Sequence, residues 1–188
     1  MGRQLFLTIA SVFLAYQSVK LILVIPEVEG QDFTWWVDIL LGMVALIMLT
    51  GVFAFVGFAW PTRRLLPQSY YTVRHPAQLA KWNNRFGVST YTKLLLGSVW
   101  RSKDRRAGFF DGTRAGIQGF ISASQQAEFG HLLAGIVCLA VAVYTTSYGH
   151  YTAALALAIG SIPLNLYPIL LQRKHRSRVA RLRDRYGP

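Results

Sequence analysis

A single cysteine, Cys138, excludes an intramolecular disulfide and any cysteine-built metal site, and as a lone thiol inside an apolar run it reads as a packing residue. Acid is scarce too: eight Asp and Glu stand against twenty Lys and Arg, so a carboxylate-rich metal centre has few ligands to draw on. There is no Gly-x-Ser-x-Gly turn, which excludes the usual serine-nucleophile elbow, and no glycine-rich loop of the kind that cradles a dinucleotide or nucleotide phosphate. His75, His150 and His175 are isolated in sequence, and no four-ligand set can be assembled around any of them. The chain also lacks internal repeats and low-complexity tracts. No metal and no cofactor is expected.

What the chain has in abundance is apolar length. Residues 6–25, 36–60, 129–148 and 152–171 are four runs with almost no charge inside them. A hydrocarbon layer about 30 Å thick needs about 20 helical residues, so each run is long enough to cross a bilayer. Val24-Ile25-Pro26-Glu27 offers no small-residue cleavage pattern, so the first run is expected to stay in the mature protein. The basic residues are placed asymmetrically. The linker after the first run carries Glu27, Glu29 and Asp32, whereas 61–126 carries eleven Lys and Arg against Asp104 and Asp111. With the basic tail, the positive-inside rule puts both termini and the central segment in the cytoplasm, with two short turns outside. Trp35, Trp36, Tyr148 and Tyr151 mark the outer interface and Trp60 the inner one. Most of the basic residues are accounted for by topology and anionic lipid, and no nucleic-acid motif accompanies them.

The expected fold is all-α: a single integral-membrane four-helix bundle made of two hairpins, with a cytoplasmic amphipathic helical insert at 61–128 and a basic cytoplasmic tail at 172–188. Within the insert, Pro61, Pro67 and Pro76 interrupt the start, and 77–86 and 91–100 read as short helices. Trp82, Phe86, Tyr91, Leu94, Leu95, Trp100, Phe109 and Phe110 give this segment an apolar face that lies on the inner leaflet or roofs a site. In the fourth span Pro163 and Pro168 flank Asn165 and Tyr167, which predicts a kink whose freed carbonyls are bonded by neighbouring side chains. Lys20, near the outer end of the first span, is expected to reach outward or to pair with Asp38 or Glu27.

One constellation carries chemistry. In Glu128-Phe129-Gly130-His131 the spacing of three places both side chains on one helical face, with Cβ atoms about 5 to 6 Å apart. A carboxylate that orients an imidazole makes His131 a general base, able to take a proton from a hydroxyl and return it to a leaving group. The same spacing is equally an interfacial ion pair that sets the rotation of the third span. Two residues do not decide between them.

The surrounding blocks narrow the choice. Phe86-x-Val-x-x-Tyr91-x-Lys93, Asp111-Gly112, Ala127-Glu128-x-x-His131, and Asn165-x-Tyr-Pro168-Ile-x-x-Gln172-Arg173-x-x-Arg176-x-Arg178 occur in that order. This arrangement resembles the glycosyl-4,4'-diaponeurosporenoate acyltransferases, small bacterial membrane enzymes of carotenoid biosynthesis. The chain departs from them where Lys174, His175 and Ser177 replace Tyr, Asn and Pro, and where Gln126 replaces Arg. The resemblance implies transfer of a fatty acyl group from an acyl thioester, acyl-CoA or acyl carrier protein, to a sugar hydroxyl of a glycosylated carotenoid or similar glycolipid. It makes His131 the base and Glu128 its partner, with Asn165 and Gln172 as donors to substrate. Arg173, Arg176 and Arg178, with Lys93, would hold the donor's anionic end, and Tyr91 and Asp111 would lie at the substrate. The His-x-x-x-x-Asp pattern of glycerolipid acyltransferases is absent too, and with no nucleophile motif in the chain direct transfer between two bound substrates is expected rather than a covalent enzyme intermediate. The alternative is a non-catalytic membrane subunit or scaffold of a pigment- or lipid-handling complex.

Overall fold

The structure, a computed structural model, describes residues 1–27, 34–98, 101 and 116–186; Trp100, Phe109, Phe110 and Asp111 lie outside the described residues. Among the described residues all regular structure is helical. Four helices are long and apolar enough to cross a membrane, which makes this an all-α integral membrane protein. The chain divides into two compact units, Met1–Thr62 with Phe129–Leu166, and Arg63–Glu128 with Tyr167–Pro188.

The first unit is the more apolar. Helix α1 (Gly2–Val24) gives way to a 3₁₀ turn, Ile25–Glu27, at the first proline, and α2 (Trp35–Ala59) stops at Trp60. Trp60 is extended (φ −130°, ψ 150°) because Pro61 follows it, and the proline ring disfavours the helical region for the residue before it. Helix α1 turns Leu5, Phe6, Ile9, Val12 and Phe13 outward, a band of exposed large apolar side chains that suits hydrocarbon rather than water. The core is built by α2, by the later turns of a long helix Gly116–Thr146, and by Tyr151–Ser161: Ala45, Leu46, Leu49, Cys138, Val141, Ala142, Ala154 and Leu157 pack as one cluster. Cys138 is fully buried there, as expected of a packing residue.

Small residues let these helices approach closely. A Cβ added at Gly42 of α2 would stand 2.5 Å from the carbonyl oxygen of Ala153, so only glycine permits this crossing. Gly42→Ala is expected to push the two helices apart at a cost of about 1 to 3 kcal/mol. Unfolding by SDS titration in mixed micelles checks this, and an unchanged midpoint would place the crossing elsewhere.

A polar knot ties the ends of two helices in this unit. Asp38, 3% exposed, receives Thr152 Oγ1 at 2.6 Å and the Ala153 backbone N–H at 3.2 Å on Oδ2, while His150 Nδ1 lies 2.7 Å from Oδ1. The carboxylate therefore caps the first turn of Tyr151–Ser161 from another helix, the place where orphan N–H groups favour an anion. Gly149, at φ +81°, makes the tight turn that delivers His150 to it. Lys20 lies over the Tyr16 ring, 5.7 Å from its centre, and of the expected alternatives neither an ion pair with Asp38 nor one with Glu27 is seen among the described residues. Asp38→Asn keeps the shape and removes the charge. It is expected to cost about 1.5 to 3 kcal/mol, the loss of hydrogen bonds to a charged group, read from the same unfolding midpoints. Unaltered stability would show that the knot holds nothing.

The second unit begins with a 3₁₀ turn, Thr62–Leu65, and a single helical turn, α3 (Gln68–Tyr71), set off by Pro67. Helix α4 (Pro76–Arg85) starts on a proline, whose missing N–H costs nothing at that position, and ends at Gly87 in the left-handed region, φ +65°. Helix α5 (Val88–Gly97) follows at once. Helix α6 (Gly116–Thr146) has 31 residues, roughly 46 Å at 1.5 Å per residue, so it starts well before the apolar run at Phe129. After α7 (Tyr151–Ser161) a π-helical segment, Ile162–Leu166, contains Pro163, and α8 (Tyr167–Tyr186) carries the basic ending. The predicted irregularity at the two prolines is thus a π segment, in which the hydrogen-bond register shifts around a missing donor.

Candidate active site

The interior of the second unit is strongly polar. Tyr71 and Val88 are buried, but so are Ser124, Gln125, Glu128, Arg176 and Ser177. Ser124 and Glu128, four apart on α6, share one face, and Arg173 and Arg176, three apart on α8, share another. Glu128 has no solvent exposure. Its Oε1 accepts from Arg173 Nε at 2.7 Å, and its Oε2 accepts from Arg176 Nη2 in a very short contact. Arg176 Nη1 donates to Ser124 Oγ at 2.8 Å, and Ser124 Oγ leans 3.4 Å from the Gln172 carbonyl. Gln125 Nε2 donates to Gln68 Oε1 at 3.1 Å, which joins α6 to α3.

Two tyrosines of α3 stack on the arginines. Arg173 lies 5.0 Å from the ring centre of Tyr70, and Arg176 lies 5.7 Å from that of Tyr71. Burial raises the Tyr70 hydroxyl above its ordinary range, and the Glu128 charge adds to the effect. Burial pushes Tyr71 up to about 12, again with help from Glu128. Both therefore stay protonated and neutral at physiological pH. Among the described residues, Tyr71 Oη and Arg176 Nε are buried without a hydrogen-bond partner.

His131 and Asn165 belong to the other unit and meet each other there. His131 Nδ1 is 3.5 Å from Asn165 Oδ1, and Asn165 Nδ2 donates to Ser161 Oγ at 2.9 Å and to Thr50 Oγ1 at 3.4 Å. With an amide oxygen facing it, a proton on Nδ1 would point to Asn165, the tautomer that leaves the lone pair on Nε2. Pro168 has no N–H for the Leu164 carbonyl, and the imidazole is hydrogen-bonded to that same carbonyl. This is the predicted satisfaction of proline-freed backbone by a neighbouring side chain.

The partners thus differ from the expected ones. Glu128 is clasped by Arg173 and Arg176, and no hydrogen bond joins it to His131 among the described residues. Two cations outcompete a neutral imidazole for a buried carboxylate, because a charge without solvent needs a countercharge. Arg176, expected to help hold the donor's anionic end, is 7% exposed with Ser124 and Glu128 as its partners. Asn165, expected as a donor to substrate, uses its amide on Ser161, Thr50 and His131. Tyr91 is half-buried and meets Tyr167 edge-on at 5.2 Å, with burial raising its hydroxyl pKa. Lys93 and Arg178 are exposed, and Gln172 contributes its backbone carbonyl to the Ser124 contact. Asp111 lies outside the described residues. Sequence reasoning missed Ser124, Tyr70 and Tyr71. Ser124 had a signal, one turn ahead of Glu128; the adjacent tyrosines had none.

An all-helical membrane protein with a buried carboxylate–arginine cluster near its basic ending is the class these features define. The profile of the glycosyl-4,4'-diaponeurosporenoate acyltransferases matches residues 67–185, from α3 through α8. The match covers well over half of the 188 residues, and the chain belongs to this acyltransferase family. No curated protein and no solved structure matches it.

Proposed function

We propose that the protein is a membrane O-acyltransferase that moves a fatty acyl group from an acyl thioester to a sugar hydroxyl of a glycosylated carotenoid or a similar glycolipid. Both termini and the 61–128 insert lie in the cytoplasm, a reading supported by the basic excess of those segments. The observation that carries the proposal is the wholly buried Glu128 carboxylate, held by two arginines of α8 and one helical turn from His131. Buried ion pairs add little net stability, so a carboxylate buried this completely between two guanidiniums supports a working role.

In the proposed reaction His131 Nε2 takes the proton of the sugar hydroxyl as its oxygen adds to the thioester carbonyl. The tetrahedral intermediate collapses with cleavage of the C–S bond, and the proton passes to the departing sulfur. An ester and a free thiol result. Asn165 is a positioning residue for His131, and Glu128 is a positioning residue for Arg173. Arg173, with the exposed Arg178 and Lys93, offers positive charge to the donor's anionic end, and Gln172 is a hydrogen-bond donor to substrate.

The test is lipid extraction from cells that make the glycosylated pigment, with and without this protein. A pigment species heavier by one fatty ester is expected only when the protein is present. An unchanged pigment profile, with the protein found in a stable complex, would favour the scaffold instead.

A further inference from the structure

Apart from the buried cluster, the second unit has an open groove of about 490 Å³, within the range of small-molecule sites. Its lining combines polar and cationic side chains, Ser69, Arg74 and Arg173, with apolar ones, Leu79, Trp82 and Leu170. No Asp or Glu is among its lining residues. Arg173 joins the two features. Its Nε is used on Glu128 and its guanidinium lies over Tyr70, while its side chain remains 32% exposed and lines the groove. Glu128 carries one negative charge against two guanidiniums, which leaves the cluster net positive beside Arg74. The first turn of α4 also borders the groove, through Gln78 and Leu79, without an acidic residue or a side-chain cap.

A lining that combines guanidiniums with apolar side chains and holds no carboxylate suits a ligand with an anionic head and an aliphatic arm. A fork of guanidinium donors suits a phosphate ester better than a single carboxylate, because it meets several oxygens at once. We propose that this groove is a phosphate-ester site that receives the phosphorylated end of the acyl donor, with the arm running along Trp82 and Leu79. The assignment rests on the acyl-transfer reading above. The same chemistry is offered by a phospholipid headgroup, and the experiment separates the two sources.

The full chain is placed in nanodiscs of phosphatidylcholine, and coenzyme A without an acyl group is titrated in by calorimetry. Binding is expected, and Arg74→Glu, at an exposed position, is expected to weaken it about 10- to 100-fold, the range for loss of a charge-assisted contact. Arg74→Lys is expected to fall between, and Arg64→Glu, an exposed charge that is not among the lining residues, is expected to bind as the native chain does. Equal binding by native and Arg74→Glu proteins, or no binding at all, overturns the site. If phosphatidylglycerol nanodiscs abolish coenzyme A binding and phosphatidylcholine nanodiscs do not, the groove holds a lipid headgroup and the donor assignment is overturned. Pigment analysis runs in parallel. Ester formation without coenzyme A binding defeats the groove and leaves acyl transfer standing. Coenzyme A binding lost in Arg74→Glu, with no ester formed by the native protein, upholds the phosphate site and defeats the transferase.

Discussion

His131→Ala protein that still reaches the membrane is expected to lose acyl transfer by about 10²- to 10⁴-fold, the usual worth of a positioned general acid–base group. The size of the loss follows from what the imidazole would do. A sugar hydroxyl is a poor nucleophile until its proton has somewhere to go, and the departing sulfur needs a proton when the C–S bond breaks. One imidazole would serve both steps in the tautomer with its proton on Nδ1, toward the Asn165 amide oxygen, and a basic Nε2. The loss should appear in kcat with little change in KM, because a proton shuttle stabilises the transition state more than it binds the substrate. Asn165→Ala provides the companion measurement. If Asn165 only orients the ring, its removal lowers kcat less than the loss of His131, and the double variant is no worse than His131→Ala alone. Near-normal turnover in His131→Ala would remove the imidazole from the chemistry. A loss that tracks failed insertion would return it to a role in packing the third span.

The membrane helices were legible because hydropathy is a strong local signal: an apolar run of this length has few stable states other than a span. The first turns of α6 were not legible in that way. Residues 116–128 are mostly small or polar, and Ile117, Phe120 and Ile121 make too short an apolar stripe to announce a helix that continues into Phe129. What orders them is a buried polar face, Ser124, Gln125 and Glu128, and hydropathy cannot tell a polar residue paired in an interior from one in water. The same blindness affected the partners of Glu128. Its nearest histidine in sequence was visible, whereas its arginines are more than forty residues away on α8. Their spacing of three on one helix, against the spacing of four between Ser124 and Glu128 on the other, is a complementary pattern. It becomes readable only once the two helices are known to face each other. The irregularity at Pro163, a π segment, was legible for the opposite reason, since a missing N–H has a local consequence whatever packs nearby.

Glu128→Ala is expected to be the most damaging single substitution for stability, costing about 3 to 5 kcal/mol, because it leaves two guanidiniums together without a countercharge. Arg176 bears most of that cost. It is 7% exposed, its Nε has no partner among the described residues, and Ser124 alone would remain to bond it. Arg173 can turn toward the groove and recover water, so Arg173→Ala is expected to cost less than Glu128→Ala. The pairing makes a sharper demand on the double variant. Removing the stranded charge as well, in Glu128→Ala with Arg176→Met, should restore part of the lost stability, because an apolar side chain of similar length fills the space without a desolvation penalty. SDS-titrated unfolding of the four proteins gives the coupling directly. If the two substitutions simply add, the carboxylate and the guanidinium do not depend on each other. If the double variant regains stability but not acyl transfer, the ion pair is dispensable for folding and is kept for the positive charge that it positions.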